Sequence, residues 1–438
     1  MERTSTAHSA MHHGGGSEAF STAGRIHPGL LTVLAGAVAL TFGPSTMTIM
    51  SFGSFVPALD REFGWGIPAI SLGATVLTTM IVVASVLQGY LVDRFGARPL
   101  IVLSIPLFGV SLASVSLLSS DITWFYLAWV VVPLCGLGAW PISYLKATSG
   151  WFERRLGFAL GLTNAGIGVG AAVVPIIIAA IIATHGWRWA YLCLGLLAIV
   201  VTWPVTLLYL RENAARTAVG KGAAASASDQ DMDLRRAART STLRIAFVAF
   251  AILGVLSVGI LVHFVRICID HGLTPQTAGF IMSSLGIALI VGRVATGWLL
   301  DRFTAASVMA VIVFGAAVAC AALAAGAGAD VASATACAAM IGLAIGAEFD
   351  VLSYMIPRYW GRTAFGKIYG VVFAIFQLAA GLGAAGLGFS RGYFGSYEPA
   401  LWVLAALLVI CAALFSQLGP YRFASHVPAP TAANPVAA

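Results

Sequence analysis

Four ionisable side chains sit in apolar stretches of the second half of the sequence, where charge is otherwise scarce: His263, Arg293, Glu348 and Asp350. An arginine keeps its charge and presents a planar fork of donors, which suits a carboxylate held by two parallel hydrogen bonds. Placing one inside hydrocarbon costs roughly 2.5–3.5 kcal/mol on insertion scales, so such a residue faces a solvated pathway or a partner. Two readings of Arg293 stay open. It meets a substrate carboxylate, or it forms a permanent ion pair with Asp350 or Glu348. Each carboxyl could carry a coupled proton or join a gating network with Arg358 and Arg362. His263 could relay a proton or bond the anion, or it could be a satisfied helix contact. Among neutral groups, Tyr144, Tyr354, Gln88, Asn164 and Gln377 are hydrogen-bonding side chains in apolar surroundings, candidates for a cavity wall or for interhelical bonds.

Other chemistry is missing from the sequence. The cysteines (Cys135, Cys193, Cys268, Cys320, Cys337, Cys411) stand singly with no metal-ligand spacing, and no convergent nucleophile and base can be picked out. No GxxxxGK[ST] occurs, and Gly166, Gly168 and Gly170 follow no strand, so they read as close helix packing rather than a phosphate loop. The expectation is a protein that is not an enzyme and uses no cofactor or metal.

The elements that must hold these residues follow from composition. The 438 residues are 59% hydrophobic and 9% charged, with a mean hydropathy of +0.93. A soluble domain that poor in charge could not keep its surface wet. In lipid the backbone must satisfy its own hydrogen bonds, and apolar runs of about twenty residues without strand alternation mean helices. Twelve spans are expected, near 30–58, 67–91, 99–119, 122–148, 157–183, 188–210, 244–269, 275–300, 305–328, 331–356, 365–389 and 396–417. They divide the chain into a polar N-terminal tail (1–27), a six-helix bundle (28–211), a linker (212–243), a second six-helix bundle (244–418) and a C-terminal tail (419–438). The first apolar run is too long for a signal-peptide core and reads as a retained span.

The net charge of +7 is distributed by topology rather than gathered for nucleic acid. Arg94, Arg98, Lys146, Arg154, Arg155, Arg302, Arg358, Arg362 and Lys367 fall in loops on one side. Only Arg61, Arg188, Arg266 and Arg391 fall on the other. The positive-inside rule then puts both termini and the linker in the cytoplasm of a plasma membrane, the inner membrane if the cell is bacterial.

A duplication runs through the chain. Gly89, Asp93, Arg94 and Phe95 recur 208 positions later as Gly297, Asp301, Arg302 and Phe303. Glu62 and Gly64 recur as Asp270 and Gly272, and one position later Gly157 and Gly161 match Gly366 and Gly370. A shift of six spans makes the halves parallel repeats about an axis along the membrane normal. The loop from Gly89 through Asp93, Arg94 and Gly96 to Arg98 resembles the signature loop of the Major Facilitator Superfamily, over roughly residues 30–418. The resemblance implies the all-α twelve-helix fold and alternating access, with Asp93, Arg94 and the second-copy Asp301 gating the cytoplasmic side. Arg154 or Arg155 would be the basic partner of Asp93, while Lys146 reads as snorkelling at the membrane surface.

Phe63-Gly64-Trp65, the 150–155 loop, His263, Gly292-Arg293 and the 346–350 segment resemble the branch of monocarboxylate transporters and the oxalate:formate antiporter. That implies Arg293 on the substrate carboxylate, with Tyr144 and Tyr354 around it. No second cation stands mid-membrane in span 11, where Lys367 lies only at the start, which favours a single carboxylate over a small dianion. Arg293 maps onto Ser85, Glu348 onto Trp140, Asp350 onto Ile142 and His263 onto Phe55. A charge that scaffolds the fold should have a counterpart, whereas one that serves an asymmetric ligand need not. The expected function is proton-coupled symport of an organic monocarboxylate by a monomer in the bilayer. Obligatory anion exchange is the alternative. A transport-like sensor would be expected to carry an added soluble domain, for which the tails are short.

Overall fold

The computed structural model describes residues 21–22, 25–153, 155–213 and 232–423. Arg154, and Asp229 and Asp231 of the linker, lie outside the described residues. Span 1 is α1 (Pro28–Thr41), a π-helical turn at Ser45–Met50, and α2 (Phe52–Phe63). Spans 2 and 3 are α3 (Ile67–Phe95) and α4 (Ala97–Ser114). Span 4 is broken: α5 (Ile122–Cys135), a 3-10 turn at Leu137–Ala139, then α6 (Pro141–Ser149). Span 5 is α7 (Leu156–His185), and span 6 is α8 (Trp187–Leu197), a π turn, and α9 (Trp203–Tyr209). After a short α10 (Leu234–Ala237), spans 7 to 12 are α11 (Ser241–Asp270), α12 (Pro275–Leu300), α13 (Ala305–Ala324), α14 (Val331–Tyr359), α15 (Phe365–Phe394) and α16 (Glu398–Ser416).

Eleven spans among the described residues are long and apolar enough to cross a membrane, and α5 with α6 supplies the twelfth crossing. The breaks have local causes. Pro44 follows Gly43 between α1 and α2, and Pro141 starts α6 after Trp140 has turned to the extended region (ψ 161). Gly64 and Gly272, the duplicated pair after spans 1 and 7, both adopt positive φ values that residues with a side chain rarely take, 65° and 98°. A two-residue hairpin, Ser21–Thr22 with Arg25–Ile26, precedes α1, where the sequence reading had only a polar tail.

One core is built from side chains between Ala35 and Leu210. The other is built mainly from those between Met232 and Leu418. The two halves meet along two helix pairs, α3 with α15 and α7 with α12. We call the face where α1 begins and α16 ends the terminal face. There glycines bring backbones into direct contact: a Cβ on Gly89 would stand 2.1 Å from the Gly366 carbonyl oxygen, and one on Gly157 2.3 Å from that of Gly297.

Further along, Gly370 lies against the Ser85 carbonyl and Gly161 against the Arg293 carbonyl. At about 100° per residue, Thr75 and Thr78 share the face of α3 that holds Ser85 and Gly89. Gly279, Ser283 and Gly286 share the face of α12 that holds Arg293 and Gly297. At the far end these faces are open: a Cβ at Gly279 or Gly286 would meet nothing within 4 Å, and Thr75, Thr78 and Ser283 are exposed. The halves are zipped at the terminal face and parted at the far one.

Candidate central site and gates

Two carboxylates close the terminal face, each one capping a helix of the opposite half. Asp93, at the end of α3, accepts hydrogen bonds from the backbone N–H groups of Gly366 (2.9 Å) and Lys367 (2.8 Å) at the start of α15. Asp301, just past α12, accepts from those of Gly157 (2.8 Å) and Phe158 (3.0 Å) at the start of α7. Helix N-termini leave N–H groups unpaired and carry partial positive charge, so both contacts are charge-assisted. The partner of Asp93 is Lys146, whose Nζ lies 2.6 Å from Asp93 Oδ1 and donates to the Val92 carbonyl at 2.9 Å. That corrects the reading of Lys146 as snorkelling and of Arg155 as the partner. Arg155 instead acts electrostatically on Asp301, as does Arg358. Burial pushes the Asp301 carboxyl above the usual carboxylate range, against the pull of these partners. Arg94 bonds Tyr90 and lies over the Phe95 ring, at the surface rather than in the latch.

Tyr354 belongs to this gate too. Its hydroxyl donates to the Leu300 carbonyl, and the Arg358 guanidinium lies 3.6 Å over its ring. It was expected around the substrate; it is the 208-position counterpart of Lys146, as Leu300 is of Val92. His263 lies away from the centre as well. Its Nε2 is 3.0 Å from the Ala384 carbonyl and its Nδ1 3.1 Å from the Tyr397 hydroxyl, so both ring nitrogens are occupied and no free one remains for a relay. Gln377 is half-buried on α15. Gln88 donates to the Trp140 carbonyl and to Ser143, a bond inside the first half.

Beneath the open cleft the structure gathers a different set. Arg293 is 4% exposed, and its Nε and Nη1 have no hydrogen-bond partner among the described residues. Glu348 and Asp350 are both within its electrostatic reach, yet neither forms an ion pair with it within 4 Å. Glu348 accepts from the Ser257 hydroxyl at 2.6 Å. Asp350 Oδ1 accepts from Asn164 Nδ2 at 2.5 Å, a bond that joins α14 of one half to α7 of the other. Asp350 Oδ2, Asn164 Oδ1 and the Tyr369 hydroxyl are buried and have no hydrogen-bond partner within 3.5 Å among the described residues, with Ser353 beside Tyr369. Tyr144, on α6, is fully buried, and its hydroxyl has no partner among the described residues.

Buried polar atoms without partners are costly, and a concentration of them at the floor of a cleft fits a place filled by solvent or ligand. Tyr369, stacked between Phe365 and Phe373, was not singled out in the sequence. Its position one residue before Gly370 was the available signal.

On the far face the ion pairs stay within one half. Glu62 pairs with Arg188 and accepts from Trp187 Nε1, while Asp270 pairs with Arg266 and Arg391. The bond to Arg188 holds the Glu62 carboxyl below its usual range.

The family model described as Major Facilitator Superfamily matches residues 38–384 and 270–435. The riboflavin transporter RibJ of Trypanosoma brucei brucei is 30% identical over 175 residues, 38% of this chain and 30% of that protein. Monocarboxylate transporter 13 of Bos taurus is 26% identical over 273 residues, 60% of this chain and 59% of that one. The chain thus spans about a third of the length of the riboflavin transporters it matches, 30% and 35%. A crystal structure of the E. coli fucose:proton symporter FucP superposes with a TM-score of 0.66 at 17% identity, covering 89% of this chain and 98% of that one. It shares the fold.

Proposed function

The chain belongs to the Major Facilitator Superfamily, a family of secondary transporters, and from that premise we propose that it carries an organic monocarboxylate across the plasma membrane by alternating access. The observation that carries this reading is Arg293. A permanently charged fork, almost fully buried under an open cleft and with two donors unpartnered, lacks what a carboxylate provides. The likeness to a monocarboxylate transporter points the same way. A single carboxylate fits better than a dianion, because Lys367 pairs with Asp233 at the terminal face rather than reaching the centre.

Coupling follows from charge. Glu348 and Asp350 both lie within electrostatic reach of one guanidinium, so an anion arriving at Arg293 adds a third negative charge that a proton on one of them would offset. Proton symport is therefore the favoured mode, with one of these two carboxyls as the carrier. The basic loops of the terminal face favour the cytoplasm for it, which makes the present arrangement outward-facing and the Asp93 and Asp301 latches the cytoplasmic gate.

The test is uptake into proteoliposomes of acetate, pyruvate, L-lactate, benzoate and riboflavin, with and without an inward proton gradient and internal counter-substrate. The expected result is uptake of a monocarboxylate that the proton gradient accelerates without counter-substrate. Uptake that requires counter-substrate makes the protein an exchanger. Riboflavin uptake that no carboxylate inhibits overturns the monocarboxylate reading.

A further inference from the structure

Asn164 stands on the face of α7 that meets the second half, between Gly161, packed on the Arg293 carbonyl, and Gly168, packed on Ile290. Its amide donates to Asp350 Oδ1, while Arg293 and Asp350, which sit on neighbouring helices of one half, stay unpaired. All three side chains are at most 4% exposed. A buried guanidinium and carboxylate within electrostatic reach attract one another strongly in a medium of low polarity. Asp350 is bonded instead by an amide of the opposite half. We propose that Asn164 is a positioning residue that holds Asp350 away from Arg293 while the terminal face is closed, leaving Arg293 free for the substrate carboxylate.

The consequence is a switch driven by the rocking of the halves. Arg293 and Asp350 move together, and Asn164 moves with the other half. When α7 parts from α12 and α14, Asp350 loses its amide partner and turns to Arg293. The substrate carboxylate then competes with an internal one and is released on the side that has just opened. Binding and release are thereby tied to the same interface that forms the gate. No part of this requires Asn164 to touch the substrate.

The inference rests on the carboxylate reading of Arg293, and the experiment separates the two. Equilibrium binding of radiolabelled acetate, pyruvate, L-lactate and benzoate is measured on purified full-length protein, together with the pH dependence of uptake. Asn164→Ala is expected to weaken binding of the preferred acid at least tenfold, because Asp350 becomes free to occupy Arg293. Asp350→Asn should bind at least as tightly as wild type, and the double variant Asn164→Ala/Asp350→Asn should return to within about threefold of Asp350→Asn. That rescue is what a merely structural asparagine, or one contacting substrate, would not give.

Asn164→Ser, which keeps a donor on a shorter arm, should fall between wild type and Asn164→Ala, and it serves as the test if the alanine variant does not fold. Unchanged affinity in Asn164→Ala, or a double variant as weak as Asn164→Ala alone, overturns the proposal. If Arg293→Gln binds the same acid as well as wild type, or if wild type binds none of the four, the carboxylate reading itself fails.

Discussion

The two copies build the same latch from different chemistry. At the end of α3, Asp93 caps α15 and is held by the ammonium of Lys146, which also reaches the Val92 carbonyl. At the end of α12, Asp301 caps α7, and the position of Lys146 is taken by Tyr354, whose hydroxyl reaches the equivalent carbonyl of Leu300. Two turns deeper the contrast sharpens. Ser85 turns its hydroxyl to backbone carbonyls, of Val82 at 2.8 Å and of Gly370 at 3.4 Å, whereas Arg293 leaves two donors free. Geometry is duplicated where the halves must close on each other. It diverges where a ligand without two-fold symmetry would have to be recognised.

The largest effects should come where the copies are most alike. Gly157→Leu and Gly89→Leu each drive a side chain into a backbone carbonyl, so both should abolish closure of the terminal face, and to the same degree. The measurement is the distance between spin labels on the exposed Phe95 and Phe303 positions, which lengthens as that face opens. A large difference between the two variants would break the symmetry of the latches.

Asp93→Asn should cost about 3 kcal/mol of closure, roughly a hundredfold in the closed-to-open ratio, because it strands the ammonium of Lys146 in a half-buried site. Asp301→Asn should cost at most about 1 kcal/mol in the same measurement, since Asp301 is held by the backbone N–H groups of Gly157 and Phe158 and its loss strands no lysine. The order reversed would mean that the chemical contrast does not set latch strength.

A pH series sharpens the same contrast. Burial lifts the Asp301 carboxyl in the closed form, and exposure to water on opening should restore its ordinary value. The closed form then holds the proton more tightly, so closure is favoured on the acid side and weakens as pH rises through the lifted value. Asp301→Asn should remove this part of the pH dependence from the spin-label distances, and its persistence would place the titrating group elsewhere.

Smallest of all is the far face. Glu62 is held low by exposed Arg188, so its contribution is present above the ordinary carboxylate value and fades as pH falls through the lowered one. Glu62→Gln should reduce thermal stability by less than about 1 kcal/mol. A larger loss would show that the far-face pair does more than an exposed ion pair does.

Much of the scaffold was legible in the sequence because its signals are local. Apolar runs set the spans, Gly and Pro set their breaks, and the repeat paired Gly89 with Gly297 at an offset of 208 and Gly157 with Gly366 one position later. The structure then shows these glycines meeting crosswise, Gly89 on Gly366 and Gly157 on Gly297. Partners across helices were less legible. Asp93 is bound by backbone groups more than 270 residues away, which no side-chain pattern records, and Lys146 looks like an interfacial lysine until α3 is placed beside it.

Tyr354 was read through a resemblance when the repeat itself, by aligning it with Lys146, pointed to the gate. Arg293 stood out because burying an arginine in hydrocarbon is costly and it had no counterpart. Asn164 could be named as a polar group in an apolar helix, but its hold on Asp350 depends on how the two halves meet.

The most direct test of the central claim, that Arg293 recognises a carboxylate, is the affinity of purified protein for an acid against its uncharged amide, benzoate against benzamide or lactate against lactamide. In wild type the acid should bind about a hundredfold more tightly, as expected for a buried charge-assisted pair, and in Arg293→Gln the preference should collapse to less than about threefold. An acid preference that survives intact in Arg293→Gln would contradict it.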